Sequence, residues 1–311
     1  MGWYEVGNFN NPDGATTITG TAEGDTVNID YGDGYYSRGV EDSDTISTGG
    51  GNDIIYLSPG TDTIDGGDGF DRIEAPLWLP LATAPKEDNF TVSVELHNWI
   101  VDIEAGTYTV EFRRYDSFFD EWTIYGTGSG TFQGIEEFWG STGSDIYYGT
   151  SGNDVFRVDK GANSFDGRDG FDRLYSFGYQ VKDLIRDHVE VNAKLGNWLG
   201  RDGEVSTFTN IEEFRLSDGG DIFIGSDADE TVVPYLGADK LNGGGGTDVL
   251  NWEQSSGSVV ANIGNKTATI TDNFGGSSVV TFSNFERFVG TVQDDKLTGS
   301  KGGEYIAGSY G

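Results

Sequence analysis

Written out in nines from residue 39 to 74, the chain puts Asp44, Asp53, Asp62 and Asp71 in its sixth column and Ile46, Ile55, Ile64 and Ile73 in its eighth. The same frame over 140 to 175 aligns Asp145, Asp154, Asn163 and Asp172, with Tyr147, Phe156, Phe165 and Leu174 two places on. Over 216 to 251 the polar column is Asp221, Glu230, Asp239 and Asp248, and the apolar one is Phe223, Val232, Leu241 and Leu250. A shorter stretch adds Asp295 and Glu304 with Leu297 and Ile306, and breaks off after Gly308. One such aspartate alone would be an ordinary turn residue. An acid or its amide in register through every complete nonamer is a tandem array of one small structural unit.

GGDGFDRIE at 66 to 74 and GRDGFDRLY at 167 to 175 show what the unit is made of. Glycine at places one, two and four lets the backbone pass through positive φ and bring carbonyl oxygens inward. The place-six carboxylate adds anionic oxygen. These are hard ligands, and they suit a hard cation, calcium above all.

The charge balance agrees, with 52 acidic side chains against 19 basic ones and a net charge of -33. Such a chain does not bind the phosphate backbone of nucleic acids or an anionic membrane surface, both of which need Lys and Arg. Its partners are cations. Apolar residues at 35% and aromatics at 13% are enough to bury a core once the charge is compensated. With no cysteine and only His97 and His188, the chain has no disulfide, thiolate site or zinc-protease motif. It has no run of about eighteen apolar residues to span a membrane. The N-terminal MGWYEVGNFN has neither the basic region nor the apolar stretch of a cleavable signal, so export is expected to use another route.

GGGNDIIY at 49 to 56, GGDGFDRIE, GTSGNDVFR at 149 to 157 and GGGGTDVLN at 243 to 251 resemble the G-G-x-G-x-D-x-U-x nonapeptide of the RTX, or haemolysin-type, calcium-binding family. The resemblance covers somewhat under half the chain. It implies a parallel β-roll, in which six residues of each nonamer form a calcium-binding turn and three a short strand. Two nonamers make one turn of the roll, so that nonamer n shares a calcium with n+2. On that basis Asp53 pairs with Asp71, helped by carbonyls of Gly49, Gly51, Gly66 and Asp68. Asp154 pairs with Asp172, helped by Thr150, Gly152, Gly167 and Asp169. Asp248, with Gly243 and Gly245, pairs with Glu230, whose longer side chain departs from the pattern. The other-side pairs are Asp44 with Asp62, Asp145 with Asn163 and Asp221 with Asp239. They rank below the first two because Pro59, Lys160 or Pro234 intrudes on their turns. Asp295 belongs to the last, partial set.

The expected fold is all-β, with parallel β-roll (β-solenoid) blocks alternating with small antiparallel β spacers. An entry segment with a degenerate repeat takes 1–38. Blocks take 39–74, 140–175 and 216–251, with a partial fourth at 289–311. Spacers take 75–139, 176–215 and 252–288. Alternation in the spacers, as at Phe90, Val92, Val94 and Leu96 or Tyr108, Val110 and Phe112, has the period two of half-buried strands. VKDLIRDHV at 181 to 189 is the one modest helix candidate. Each spacer closes on a similar phrase: TFQGIEEF, TFTNIEEF and TFSNFERF. Its paired glutamates, Glu136 with Glu137 and Glu212 with Glu213, do not read as an acid and base. Neighbours on a strand face opposite ways and cannot flank one scissile bond. A role in capping the roll or supporting its first turn is expected instead. Trp139 and Trp198 are expected in the core, and Tyr35, Tyr36, Phe118, Phe119 and Trp122 over the ends of sheets and rolls, or else stacked on sugars.

Without calcium the stacked acids repel and the short strands cannot offset chain entropy, so the rolls are expected to be disordered until the ion binds. Sites rich in carbonyls belong with extracellular modules of roughly 10⁻⁴ to 10⁻³ M affinity. The expectation is a non-catalytic calcium-binding region of a secreted or cell-surface protein that folds after export and serves presentation or adhesion. The resemblance implies type I secretion from a Gram-negative bacterium. The chain is expected to be a piece of a longer one whose export signal lies beyond it. A module binding polysaccharide or a cell-surface glycan, and the accessory region of a secreted protease or alginate epimerase, stand as alternatives.

Overall fold

The computed structural model describes residues 2–6, 17–20, 23–29, 43–57, 60–74, 79–80, 92–116, 121–176 and 188–309. Most of the helix candidate at 181 to 189 lies outside them, as do Tyr35, Tyr36, Phe90, Phe118 and Phe119. Every regular element among the described residues is a strand, and no helix is long and apolar enough to cross a membrane. The chain forms two compact units: Met1–Gly149 with Asp159–Ser164, and Thr150–Val158 with Phe165–Gly311.

Within the units, each nonamer spends three or four residues on a strand centred on place eight. Ile54–Tyr56 pairs in parallel with Arg72–Glu74, eighteen residues on, as Thr45–Ser47 does with the end of Gly60–Asp65. The same step joins Ile222–Ile224 to Lys240–Asn242, and Thr231–Val233 to Val249–Asn251. Parallel neighbours two nonamers apart are the geometry of a parallel β-roll, in which odd and even nonamers build opposite sheets. The place-eight side chains of the three complete blocks all point inward and are buried. In the last, partial set Leu297 is half-buried and Ile306 is 37% exposed.

The spacers are antiparallel meanders. In the first unit Thr107–Asp116 lies between Val92–Asp102 and Glu121–Gln133. The alternation there is real, since Tyr108, Val110 and Phe112 are buried beside Trp99 and Val101. In the second unit Asn197–Leu199 lies between Glu190–Asn192 and Val205–Thr209, and Thr267–Thr271 between Ser258–Asn262 and Ser277–Ser283. Trp198 is fully buried, as expected, while Trp139 is half-buried under the Arg72 guanidinium, 3.9 Å from its ring centre. Trp122 is 39% exposed.

The meanders are wired into the rolls. Gly128–Gln133 continues the parallel ladder from Gly60–Asp65, and Ile100–Asp102 continues it into Ile146–Tyr148. In the second unit Lys240–Asn242 passes the ladder to Thr281–Ser283, and Val260–Asn262 passes it to Lys296–Thr298. On the opposite sheet no meander intervenes. Glu213–Arg215 pairs directly with Arg173–Tyr175 on one side and Thr231–Val233 on the other, and Arg287–Val289 likewise joins Val249–Asn251 to Tyr305–Ala307.

Candidate metal centre

The roll brings together all six pairs of place-six residues expected from the sequence. In each, the earlier residue gives its backbone N–H to the later side chain. Asp53 donates to Asp71 Oδ1 at 2.8 Å, Asp154 to Asp172 Oδ1 at 2.7 Å and Glu230 to Asp248 Oδ1 at 2.9 Å. On the other sheet Asp44 donates to Asp62 Oδ1 at 3.1 Å, and Asp145 and Asp221 donate to Asn163 Oδ1 and Asp239 Oδ1 at 2.8 Å. The accepting side chains are all buried, and of the earlier residues only Asp154 is half-buried. The turns stack so tightly that a methyl group on Gly69, at φ 151°, would lie 1.7 Å from the Gly51 carbonyl oxygen. The place-four glycine is therefore a steric requirement as well as a conformational one.

What differs between nonamers is the remaining carboxylate oxygen. In the second and third blocks and the last, partial set, the first two nonamers carry Ser or Thr at place two, and that residue closes its own turn; the first block has Val40 and Gly49 there. Ser141 gives its N–H to Asp145 Oδ2 at 2.7 Å and its hydroxyl to Oδ1 at 2.6 Å, while the meander adds the Trp99 N–H at 2.8 Å. Ser217 with Val189 does the same for Asp221, and Thr291 with Val259 for Asp295. Thr150 gives both its N–H and its hydroxyl to Asp154 Oδ2, at 2.6 and 3.0 Å. Ser226 closes on Glu230 Oε1 through its N–H and hydroxyl.

Fourth nonamers lack that hydroxyl. The Oδ2 atoms of Asp71, Asp172 and Asp248 are buried and accept no hydrogen bond, and neither does Glu230 Oε2, so the longer glutamate still faces Asp248 with an open oxygen. Third nonamers differ one from another. Asp62 Oδ2 accepts the Tyr108 hydroxyl at 2.8 Å. Asn163 points its amide nitrogen at the Lys160 and Asp159 carbonyls, at 3.3 and 3.5 Å. Asp239 Oδ2 has no donor.

Acidity follows this geometry. Burial pushes the Asp71 carboxyl up to about 6, and the charges of Asp53, Glu136 and Asp65 add to it against the Asp53 hydrogen bond. Burial, with Asp154, Glu212 and Asp166 adding to it, raises Asp172 to about 7. Asp248 rises to about 7 by burial and the nearness of Glu230 and Glu286, and Asp239 to about 8 by burial and Asp221. Asp62, Asp145 and Asp221 are also raised by burial, to about 6 like Asp71, while side-chain and backbone donors hold them down. Asp172, Asp239 and Asp248, each with a donorless Oδ2, are raised furthest, and their ionisation at neutral pH calls most strongly for a compensating positive charge.

A family model described as the RTX calcium-binding nonapeptide repeat (4 copies) matches residues 38–73, 139–174 and 224–251. The chain carries RTX calcium-binding repeats. Among solved structures, the crystal structure of extracellular lipase LipA from Serratia marcescens aligns with 87% of this chain at 14% identity, with a TM-score of 0.19. The alignment spans 36% of the lipase chain. No curated protein matches the chain.

RTX repeats bind calcium, and the donor set here fits that ion. Among the described residues no group of three or more His, Cys, Asp or Glu side chains gathers that could hold a metal. A cation between these turns must therefore be held by one or two carboxylates and a larger number of backbone carbonyls, the oxygen-only mixture calcium accepts. The donorless oxygens of Asp71, Asp172, Asp239 and Asp248 are the buried polar atoms that such an ion would satisfy.

The RTX register also runs further than the repeats read from sequence. Counted back from residues 140, 216 and 290, the closing phrases occupy 131–139, 207–215 and 281–289, each one nonamer in frame. Their ladder bonds are those of a nonamer. The Arg72 N–H donates to the Asp53 carbonyl, and in the same way the Glu137, Glu213 and Arg287 N–H groups donate to the carbonyls of Asp71, Asp172 and Asp248. The Thr231 and Tyr305 N–H groups then donate to Glu212 and Glu286. Phe138, Phe214 and Phe288 are the buried place-eight residues. The frame was visible in the sequence; a glutamate at place six and missing glycines at places one and two hid it.

The two glutamates of a phrase do separate work, as expected for neighbours on a strand. Glu136 and Glu212 turn back to the roll. Glu137 meets Arg72 at 3.5 Å, and Glu213 takes both Arg173 and Arg215 at 2.6 Å, which together hold its carboxyl below the usual range despite burial. Arg72 and Arg173 stand at place seven of the preceding nonamer. In the third phrase the pair is absent: Arg287 replaces the second glutamate and Val249 the arginine.

Proposed function

We propose that this chain is a non-catalytic calcium-dependent repeat region of a secreted or cell-surface protein, which takes up several calcium ions after export and thereby becomes a rigid presenting scaffold. RTX repeats are typical of secreted extracellular proteins of Gram-negative bacteria, and that localisation supports the reading. The observation that carries it is the set of buried, donorless carboxylate oxygens on Asp71, Asp172, Asp239 and Asp248, each beside a stack of backbone turns. Left bare and ionised in a low-dielectric interior, they oppose folding. Bound to calcium, they hold neighbouring turns together, so binding free energy becomes folding free energy.

The strongest sites would join Asp53 with Asp71 through carbonyls of Gly49, Gly51, Gly66 and Asp68, and Asp154 with Asp172 through Thr150, Gly152, Gly167 and Asp169. Glu230 and Asp248 would hold a third with Gly243 and Gly245. The open oxygen of Asp239 supports moving Asp221 with Asp239 up to this group, despite Pro234. Asp44 with Asp62 would be weaker, because Tyr108 occupies Asp62. Asp145 with Asn163 would be the weakest, because an amide faces the carbonyls there. Asp295, closed by Thr291 and Val259, would bind little.

The test is chelation. Removing calcium is expected to abolish most of the strand signal in circular dichroism. Returning calcium at roughly 10⁻⁴ to 10⁻³ M is expected to restore it, whereas magnesium, which demands near-octahedral geometry, is not. A full strand spectrum after exhaustive chelation would overturn the reading.

A further inference from the structure

We propose that each repeat block ends in an additional hard-cation site, made by the acid of its fourth nonamer together with the first glutamate of the closing phrase and the backbone carbonyl two residues before that glutamate. The three sites are Asp71, Glu136 and the Gly134 carbonyl; Asp172, Glu212 and the Asn210 carbonyl; and Asp248, Glu286 and the Asn284 carbonyl. None of the phrases lies within the matched repeats, apart from Trp139 at the edge of one.

Three observations recur in all three places. First, the glutamate stands where the acid of nonamer n+2 stands inside a block. It accepts the N–H of the fourth-nonamer acid: Asp71 donates to Glu136 Oε2 at 2.8 Å, Asp172 to Glu212 Oε2 at 2.8 Å and Asp248 to Glu286 Oε2 at 3.0 Å. This repeats the bond that Asp53 makes to Asp71.

Second, the buried Oδ2 of the acid and the phrase carbonyl converge over the glycine at place one, an approach that only glycine permits. A methyl on Gly66 would lie 2.0 Å from the Gly134 oxygen and 2.7 Å from Asp71 Oδ2. On Gly167 the distances are 2.1 Å to the Asn210 oxygen and 2.3 Å to Asp172 Oδ2, and on Gly243 they are 1.9 Å to Asn284 and 2.6 Å to Asp248 Oδ2. The two oxygens of each pair are thus less than about 5 Å apart, close enough to share a calcium ligated at about 2.3–2.6 Å. Each Oδ2 is buried and without a hydrogen-bond donor.

Third, the carbonyl is supplied by a left-handed residue every time: Gly134 at φ 61°, Asn210 at 55° and Asn284 at 55°. Asparagine is among the few non-glycine residues that tolerate this region. A backbone held there three times beside a donorless carboxylate oxygen is what a place-four turn needs to present oxygen to an ion.

A cap without a cation is the competing account of the glutamates, and substitution by glutamine separates the two. Glutamine keeps an oxygen to accept the aspartate N–H but loses the charge a cation needs. This inference rests on the reading that the rolls bind calcium, so the wild-type chain is measured alongside. Native mass spectrometry with calcium acetate is expected to show three fewer calcium ions on E136Q/E212Q/E286Q than on wild type. The place-seven control E137Q/E213Q is expected to keep the wild-type number. Should the triple variant fail to regain the wild-type strand spectrum at saturating calcium, E212Q and E286Q singly are each expected to lose one ion. Wild-type stoichiometry and half-saturation in the glutamine variants would overturn the site while leaving calcium binding by the rolls intact. A wild-type chain that takes no calcium would overturn both.

Discussion

The nonamers that open a block and those that close it carry the same acid at place six, in the same turn, over the same buried apolar residue. They differ in how the carboxylate is satisfied. At Asp145 and Asp154 a serine or threonine four residues earlier supplies a hydroxyl and an N–H, and the turn is electrostatically complete within itself. At Asp71 and Asp172 place two is Gly67 or Arg168, no hydroxyl reaches the acid, and one oxygen stays open. Where a block starts with such a hydroxyl, it therefore does by hydrogen bonding part of what an ion does further along, and in the second block calcium dependence should be greater at Asp172 than at Asp145 or Asp154.

The largest break in that comparison is expected from Asp71→Ala set against Asp62→Ala. Removing the open carboxylate should weaken calcium binding at least about tenfold, or about 1.4 kcal/mol. Removing the one already engaged by Tyr108 should weaken it several-fold less, as read by calorimetric titration. Equal losses would show that donor occupancy does not order the sites.

The pH dependence should sharpen the comparison next. In the chelated chain, Asp71, Asp172, Asp239 and Asp248 have folded pKa values of about 6, 7, 8 and 7, above the unfolded value of about 4. Their contribution to stability is fully present below about 4 and is lost as pH rises through 6 to 8, because the folded state then holds more protons than the unfolded one. Acidifying the calcium-free protein from pH 8 to 5 is expected to increase strand signal. The same change should raise the calcium concentration needed for half-saturation, since protons compete for the same oxygens. Carboxyl resonances of Asp145 and Asp221 should titrate near 6, below those of Asp172, Asp239 and Asp248. An acid-induced loss of strand signal in chelator would contradict this.

Thr150→Val should have the smallest effect on calcium binding. It deletes the hydroxyl that donates to Asp154 and accepts the Gly152 N–H. A cost of about 1–2 kcal/mol in stability is expected from two modest hydrogen bonds, with the number of bound ions unchanged. Loss of an ion from this variant would mean that the hydroxyl supports a metal rather than standing in for one.

The amino-acid sequence by itself determined the repeat unit, its period, its apolar core and the chemical class of its ligand. All of these are local: a glycine tolerates positive φ, an acid six places in offers oxygen, and an apolar residue two places later must be buried. The pairing of Asp53 with Asp71 and its counterparts followed from that period only through the resemblance to the RTX nonapeptide, which implies two nonamers per turn of the roll. The fate of each second carboxylate oxygen belongs to the tertiary structure. Tyr108 reaches Asp62 from 46 residues away and Glu136 reaches Asp71 from 65. Neither distance is a multiple of nine that a repeat frame within one block could register. The phrases that read as spacer endings are rungs for the same reason. Their glutamates and left-handed residues break the glycine signature, and only the parallel ladder, which responds to backbone hydrogen bonds and not to side-chain identity, puts Glu136, Glu212 and Glu286 in the column of the calcium-facing acids.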